Sequence, residues 1–167
     1  ALRKMTVANL VANAGGGKLL QVIQTVSSTQ STSTSSSDVE IYNAAITPSA
    51  TSSKILIKVI LYVGKGNNET YWCKRDSTKI GGVGGSTSTF IKNDSFISID
   101  DAVSANEHNV DTIAWNYLDS PSSTSEVTYS IGHLASTSSP EFFINRGRAN
   151  ATGARATSTL TLMEIAG

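Results

Sequence analysis

Two glycine-rich segments of this chain could hold a phosphate if their spacing were right. Gly15–Lys18 ends in the Gly-Lys pair of a phosphate-binding loop, but it lacks the first glycine of that motif and the hydroxyl residue after the lysine. The residues that follow, Leu19–Val22, are typical of a strand rather than a helix. Gly81–Gly85 lacks the spacing of a dinucleotide fingerprint. Neither segment predicts a nucleotide site.

The histidines and aspartates do not have the spacing of metal ligands. His133 alternates with apolar residues, so we expect a core or interface histidine, whereas His108 lies in a polar segment and is expected in solvent. Four aspartates could collect a hard cation such as calcium, but no calcium-loop signature contains them. They are Asp94, Asp100, Asp101 and Asp111. The sequence therefore predicts no metal site and no cofactor.

Nucleophile and acid–base patterns are equally weak. Cys73 lies between Trp72 and Lys74 in a predicted strand, which indicates a small buried side chain rather than a reactive thiol. No Gly-x-Ser-x-Gly elbow is present. A sugar-acting enzyme such as a depolymerase would need two carboxylates facing one groove, and Asp119 and Glu126, which flank one turn, are the pair to test. Because solvation of that turn is the simpler role, we expect no enzymatic activity.

The elements that would position these residues are strands joined by two similar turns. Pro48–Ser53 and Pro121–Glu126 each follow a short apolar stretch and lead into a β-branched or aromatic run. Proline closes a strand because it lacks an N–H donor, and the hydroxyls after it can bond the backbone. We expect both prolines outside strand interiors, each followed within about six residues by a strand.

Period-two alternation continues along most of the chain beyond residue 18. Lys54–Val63 is apolar on both faces, which predicts a central strand covered on both sides. Ser27–Ser37 is rich in Ser and Thr and is either a mobile loop or an extended polar edge. Short strands at this spacing predict an all-β, antiparallel β-sandwich or jelly roll of about eight to ten strands. The predicted strands are Leu19–Val26, Val39–Thr47, Lys54–Val63, Thr70–Asp76, Lys79–Val83, Phe96–Asp100, Val110–Leu118, Glu126–Leu134, Glu141–Ile144 and Ala156–Ile165.

Composition narrows the class of partner. The 167 residues carry 13 basic and 13 acidic side chains, so neither nucleic acid nor a membrane surface is an expected partner. Only 16% of the residues are charged, and a surface with few charges is easily desolvated against a neighbour. Residues 1–18 form a basic segment with a glycine joint, which we interpret as an N-terminal arm before a sandwich domain at 19–167.

Five stretches of the chain resemble a signature of tailed-phage structural proteins, especially those of marine and cyanobacterial phages. The first is Ile46–Ile57, with the sequence ITPSATSSKILI. The others, in the same order, are Lys18–Gln24, Lys74–Gly81, Tyr117–Ser125 and Thr157–Ile165. The resemblance implies a virion β-sandwich that assembles as a homotrimer without enzymatic activity. Since a short basic arm and no long shaft precedes the module, we expect a free-standing protein on the capsid rather than a fibre tip.

This interpretation assigns roles to particular residues. The arm would anchor the protein to the major capsid protein or another virion protein, and trimer contacts would come from apolar strand faces left over by the core. The expected arm contacts are Leu2, Arg3, Lys4, Val7, Leu10 and Val11, and the expected trimer contacts are Trp115, Tyr117 and Tyr129. The main alternative is a receptor-binding tail-fibre knob that recognises host surface glycan. It would use the loops Ser27–Ser37 and Gly81–Thr89 and the aromatic side chains of Tyr71 and Trp72.

Overall fold

The computed structural model describes residues 17–35, 37–64, 69–82, 95–99, 110–135, 142–148 and 155–167. These residues form strands and turns, and they include no helix that is long and apolar enough to cross a membrane. The strands of the described residues are β1 (Leu19–Ser27), β2 (Ser31–Ser33), β3 (Val39–Ile46), β4 (Lys54–Gly64), β5 (Glu69–Arg75), β6 (Thr78–Ile80), β7 (Ile97–Ile99), β8 (Val110–Asp119), β9 (Val127–Ala135), β10 (Phe142–Ile144) and β11 (Ser158–Ile165).

The strands form two antiparallel sheets, called sheet A and sheet B here. In sheet A, β8 pairs with β4 along its whole length, so β11 and β10 share the other side of β4. β1 and β2 continue outward from β11 and β10. In sheet B, β3 pairs with β9 and β9 with β5, while β6 and β7 share the remaining side of β5.

The strand order is that of a jelly roll. Three pairs of strands each occupy a single position in a sheet: β1 with β2, β6 with β7, and β10 with β11. If each pair is counted once and the positions are numbered in chain order, the described strands occupy eight positions. Sheet A then has the order 1-8-3-6 and sheet B the order 2-7-4-5, so each sheet interleaves early and late strands. This order is that of the two Greek keys of a jelly roll. The prediction of an all-β antiparallel sandwich is confirmed.

The core lies between the sheets because one side chain in two points inward from each strand. Ile57 and Leu61 of β4 and Leu162 of β11 come from sheet A, and Tyr129 and Ile131 come from β9 of sheet B. All five are fully buried. Each buried aliphatic side chain of this size stabilises the fold by about 1.5–3 kcal/mol before ordering costs.

Both prolines lie where the sequence predicts them. Pro48 follows the end of β3 and Pro121 follows the end of β8, and the next strands begin at Lys54 and Val127. Both turns carry the chain from one sheet to the other, so the two connections are equivalent. Within the second turn the hydroxyl of Ser123 accepts a hydrogen bond from the N–H of Ser125 at 3.0 Å. The prediction of two equivalent strand-closing turns is confirmed.

A buried polar residue joins several strands at the other end of sheet A. Asn145 follows β10 with a φ of 58°, a conformation that asparagine tolerates better than most residues. Its side-chain amide donates to the carbonyl oxygens of Ser27 and Thr29 and to the hydroxyl of Tyr42. Its side-chain oxygen accepts from the hydroxyl of Ser158 at 2.6 Å. β2 (Ser31–Ser33) pairs with β10 at the edge of sheet A, so this part of the Ser/Thr run is an extended edge strand.

Candidate assembly surface

The carboxylate pair named from the sequence is not arranged as an acid–base pair. Asp119 is buried at the end of β8, where Nη1 of Arg75 donates to both of its oxygens at 3.0 Å. The hydroxyl of Tyr129 donates to Asp119 Oδ2 at 2.7 Å. Burial raises the pKa of Tyr129, and this hydrogen bond raises it further. Glu126 is exposed in the turn. Asp119 therefore links the two sheets instead of facing a groove.

A second buried ionisable group lies at the opposite end of the core. Glu69 on β5 is buried, and burial raises the pKa of this carboxyl to about 8 although the hydroxyl of Tyr71 donates to its Oε2 at 2.5 Å. Its other oxygen has no hydrogen-bond partner. His133 pairs with Tyr71 across the strands, and neither ring nitrogen has a partner. His133 stacks on Phe142 with 3.5 Å between ring centroids.

His133 is thus a core histidine, as predicted, but it packs as an apolar ring. Burial lowers its pKa to about 4, so the ring is neutral at pH 7. Burial also raises the pKa of the Cys73 thiol to about 12, which keeps the sulfur protonated and unreactive. Among the described residues, no group of three His, Cys, Asp or Glu side chains could hold a metal ion. Asp94, Asp100, Asp101 and His108 lie outside the described residues.

The aromatic side chains proposed for glycan binding are not exposed. Tyr71 has 0% of its surface exposed because it points into the core. Trp72 points to the outer side of sheet B, yet only 2% of it is exposed, because it lies over Gly132 and under Lys74. The assignment of Tyr71 and Trp72 to a receptor site is therefore wrong. Most of Gly81–Thr89 lies outside the described residues.

Several of the large apolar side chains that are exposed among the described residues lie on the outer side of sheet A. Strand registers align them in two rows that cross the sheet, which we call the apolar face. One row is Val22, Met163, Leu56 and Leu118, and the other is Val26, Thr159, Ile60 and Ala114. Val26 is 56% exposed, Val22 and Leu118 are each 48% exposed, and Ile60 is 39% exposed.

A polar row separates the two apolar rows. It consists of Gln24, Thr161, Lys58 and Asn116, with the side-chain amide of Gln24 donating to the hydroxyl of Thr161 at 2.9 Å. Lys58 lies in its centre, and Lys54 lies at one end of the face, where it donates to Ser120. No described acidic side chain projects from this face. The apolar face is therefore weakly basic.

The outer side of sheet B has a different character. Lys74 and Lys79 both contact Asp38, at 3.0 and 3.1 Å, and both ammonium groups lie over the ring of Trp72. These hydrogen bonds outweigh the effect of burial and lower the pKa of Asp38. These three charges are paired within the chain, and the side is suited to water. The two outer sides of the sandwich are therefore not equivalent.

The predicted central strand explains the apolar face. β4 is central in sheet A, but the described residues cover only its inner side, and Ile60 on its outer side is 39% exposed, so the prediction that both sides are covered is wrong. Its alternate residues Leu56 and Ile60 remain in the apolar face. A sequence signal for the face therefore existed in the apolar residues on both sides of Lys54–Val63 and in Leu19–Val26.

The predicted trimer contacts lie in different environments. Trp115 and Tyr117 are half-buried and point to the inner side of β8, the side of Val59 and Ile57, where they pack against the core. Their rings stack, and Trp115 also stacks on Phe96 with 4.5 Å between centroids. The assignment of Trp115 and Tyr117 as trimer contacts stays a prediction. Tyr129 is 0% exposed and bonded to Asp119, so its assignment as a trimer contact is wrong.

The residues of the predicted anchoring arm, Leu2, Arg3, Lys4, Val7, Leu10 and Val11, lie outside the described residues. The N–H of Gly17 donates to the carbonyl of Ala166 at 3.0 Å, and β1 begins at Leu19. The boundary between arm and sandwich at residue 18 stays a prediction.

Comparisons with known proteins add little to this description. No protein-family model matches the chain, and no curated protein sequence matches it. Among solved structures it is similar to one titled "Crystal structure of infectious bursal disease virus VP2 subviral particle", with a TM-score of 0.39 and 12% identity. The alignment covers 87% of this chain and 40% of that chain. The assignment of the chain to the antiparallel β-sandwiches rests on its own strand order.

Proposed function

We propose that this protein is a structural protein of a phage virion, which decorates the outer capsid shell as a homotrimer and acts by binding rather than by catalysis. The observation that carries the proposal is the apolar face of sheet A. Exposed apolar side chains grouped on one side of a folded domain often mark a protein–protein contact. The resemblance of Ile46–Ile57 and four further stretches to phage virion modules supports the same function.

The described ionisable groups support binding rather than catalysis. Asp119 is held by Arg75 and Tyr129, and Glu69 and His133 are buried inside the core. None of these groups is presented to a substrate-sized groove. We therefore expect the protein to need no cofactor.

In this proposal the arm attaches the trimer to the shell. Burying four aliphatic side chains of the arm contributes about 6–10 kcal/mol before ordering costs. Ordering some fifteen residues cancels a large share of that free energy. Binding by one arm is then modest, and three arms on one trimer supply the retention through multivalency.

The test is attachment to particles that lack this protein. Purified full chain is mixed with such particles and separated by gradient sedimentation, beside a chain that lacks residues 1–16. We expect the truncated protein to keep its oligomeric mass and melting temperature but to stay at the top of the gradient. Normal attachment of the truncated protein would contradict the anchoring role of the arm, and unfolding would show that the arm belongs to the core.

Two matched variants separate the contributions within the arm. One replaces Leu2, Val7, Leu10 and Val11 with serine, and the other replaces Arg3 and Lys4 with glutamine. If apolar burial dominates, the serine variant loses attachment at all salt concentrations. The glutamine variant should lose attachment mainly at low salt, where unscreened charges contribute most. Failure of the full chain to attach at any salt concentration would contradict the decoration function itself.

A further inference from the structure

Two carboxyl groups face each other from opposite sheets at one end of the sandwich. Glu69 is the first residue of β5 and alternates with Tyr71 and Cys73 of the core, so it points inward from sheet B. Asp111 is the second residue of β8 and lies opposite Val63 of the core, so it points inward from sheet A. The charge of Asp111 raises the pKa of Glu69, which shows that the two groups lie near each other. We call this part of the molecule the acidic end.

The two carboxyl groups of the acidic end have different environments. Glu69 is only 3% exposed, and although the hydroxyl of Tyr71 donates to its Oε2, its Oε1 has no hydrogen-bond partner. Asp111 is exposed, and no hydrogen bond or ion pair joins it to another described residue. An ionised carboxylate is unfavourable in the interior when one of its oxygens has no partner. Glu69 is therefore mostly neutral at pH 7, whereas Asp111 is charged.

The other described groups around Glu69 offer it no positive charge. β9 presents His133, whose lowered pKa of about 4 keeps the ring neutral at pH 7. β7 (Ile97–Ile99) pairs with Glu69 and contains no ionisable residue. The guanidinium of Arg146 lies over the ring of Phe143, which alternates with the inward-pointing ring before it and so lies on the outer side of β10. The ionised form of Glu69 would therefore meet the charge of Asp111 without a compensating cation.

The strand pairings stop at these two residues, so the acidic end can open while the core stays folded. β5 pairs with β9 and β7 from Glu69 onward. β8 pairs with β4 as far as Val110, the residue before Asp111. Opening breaks only the last pairs of each ladder, and openings at the ends of strands require less free energy than global unfolding.

We propose that Glu69 and Asp111 form a pH-sensitive switch: the acidic end stays closed while Glu69 carries its proton and opens locally when that proton leaves. Ionisation places two like charges near each other, one of them shielded from water, and both effects disfavour the closed form. Opening lets water reach the carboxylate of Glu69, and the released proton goes to the solvent. The switch goes beyond the proposed virion function and does not depend on it.

The pH range of the switch follows from the two environments of Glu69. In the open form the carboxyl is solvated and titrates near its ordinary pKa of 4.5, whereas in the closed form burial raises the pKa to about 8. The equilibrium constant for opening should therefore rise about tenfold per pH unit between these two values and level off above pH 8. His133 titrates near pH 4, below this range.

Amide hydrogen exchange of the full chain, followed by mass spectrometry between about pH 6 and 9, tests the switch. Each rate is divided by the rate of an unstructured peptide at the same pH, which removes the intrinsic effect of pH. We expect the corrected rates of residues 69–71 and 110–113 to rise about tenfold per pH unit up to pH 8. Urea below the unfolding transition should not change them. Residues 57–61 of β4 should exchange more slowly and accelerate with urea, because their exchange requires global unfolding.

Three variants assign the effect to particular carboxyl groups. Glu69→Gln should abolish the pH dependence of the corrected rates at residues 69–71, since the amide does not titrate. Asp111→Asn removes only the repulsion, so the rates should still rise with pH but level off at a lower pH. Glu126→Gln, an exposed carboxyl in the turn before the other end of β9, is the matched control and should leave the profile unchanged.

Several outcomes would overturn the inference. Exchange at residues 69–71 that accelerates with urea as steeply as at residues 57–61 would show that the acidic end opens only when the whole chain unfolds. Corrected rates that do not change with pH, or a pH dependence that persists in Glu69→Gln, would exclude Glu69 as the switch. If Glu69→Gln does not fold, Asp111→Asn decides, because its exposed side chain can be changed without disturbing the core, and an unshifted profile would remove Asp111 from the switch.

Discussion

Ser49 donates two hydrogen bonds to Oε1 of Glu164, one from its backbone N–H at 2.7 Å and one from its hydroxyl at 2.6 Å. Gln21 donates to the other carboxylate oxygen at 2.7 Å. The first proline turn is thereby fixed to the last strand, 115 residues away. Burial alone would raise the pKa of Glu164, but these hydrogen bonds outweigh it and hold the pKa at about 2.

The first prediction concerns this contact. Glu164→Gln and Ser49→Ala should each lower the free energy of unfolding by about 1.5–3 kcal/mol, because a hydrogen bond to a charged group is lost. The double variant should cost less than the sum of the two, since both changes remove the same interaction. Urea unfolding at pH 7 measures all four proteins. Strict additivity would mean that the two residues do not interact.

The second prediction concerns pH. His133 has a lowered pKa, so its neutral form stabilises the fold above pH 6.5 and this stability is lost as the pH falls toward 4. Glu69 has a raised pKa, so its neutral form stabilises the fold below pH 4.5 and this stability is lost as the pH rises toward 8. Between pH 4.5 and 6.5 the two effects oppose each other. Between pH 4.5 and 8, the unchanged protein should therefore lose stability mainly above pH 6.5.

Single variants separate the two groups. His133→Phe keeps the stacking on Phe142, and its stability should fall throughout the range from pH 4.5 to 8. Glu69→Gln should gain about 2–3 kcal/mol from pH 4.5 to 6.5 and then stay level, since one pKa unit corresponds to about 1.4 kcal/mol. Urea unfolding at half-unit pH steps gives the curves. A Glu69→Gln protein that still loses stability above pH 6.5 would contradict the assignment. The charge of Asp111 raises the pKa of Glu69 and the charge of Asp38 raises the pKa of His133, so neither aspartate is substituted in these variants.

The third prediction concerns the contact between Gly132 and Trp72. A Cβ at position 132 would overlap the indole ring of Trp72 and the carbonyl oxygen of Val39. Gly132→Ala should therefore lower the free energy of unfolding by more than 2 kcal/mol. Trp72→Leu in the same chain should restore only part of the loss, because the backbone oxygen of Val39 remains. Thermal unfolding measures the series, with Thr128→Ala on the same side of β9 as the control. Full rescue would show that the carbonyl adapts.

The fourth prediction concerns the link between the sheets at Asp119. Asp119→Asn leaves Arg75 without its ionic partner and weakens the hydrogen bond from Tyr129, so unfolding should be easier by about 2–3 kcal/mol. Glu126→Gln, in the neighbouring turn, should change stability by less than about 0.5 kcal/mol. Equal effects of the two changes would contradict the different environments of these carboxylates. Guanidinium unfolding at pH 7 is the measurement.

Most of the strands could be predicted from the sequence because period-two alternation depends on local spacing alone. The predicted strand Val110–Leu118, for example, differs from β8 by one residue at its end. Side-chain direction within a strand was also predictable, since Tyr129, Ile131 and His133 do face the same side. Alternation does not say which side meets the core, and the assignment of Tyr129 to an interface failed for that reason.

The polar contacts of the core could not be predicted in the same way. Asn145 bonds to residues more than 100 positions away, and nothing in its immediate neighbours indicates this. The same holds for Arg75 and Asp119, whose contact depends on how two sheets face each other. Such pairs follow from topology, and the order of strands in a sheet is not written in the period of any one strand.

The position of β11 between β1 and β4 has a consequence for synthesis on the ribosome. β1 is made before its partner β11, and more than a hundred residues are translated between them, so the edge of β1 stays unpaired during that time. Contacts of such long range form slowly. A nascent chain without residues 158–165 also leaves one edge of β4 open over Lys54–Ile60, and open edges invite pairing between chains. On a polysome, neighbouring incomplete chains therefore lie close together while these strand edges are still unpaired.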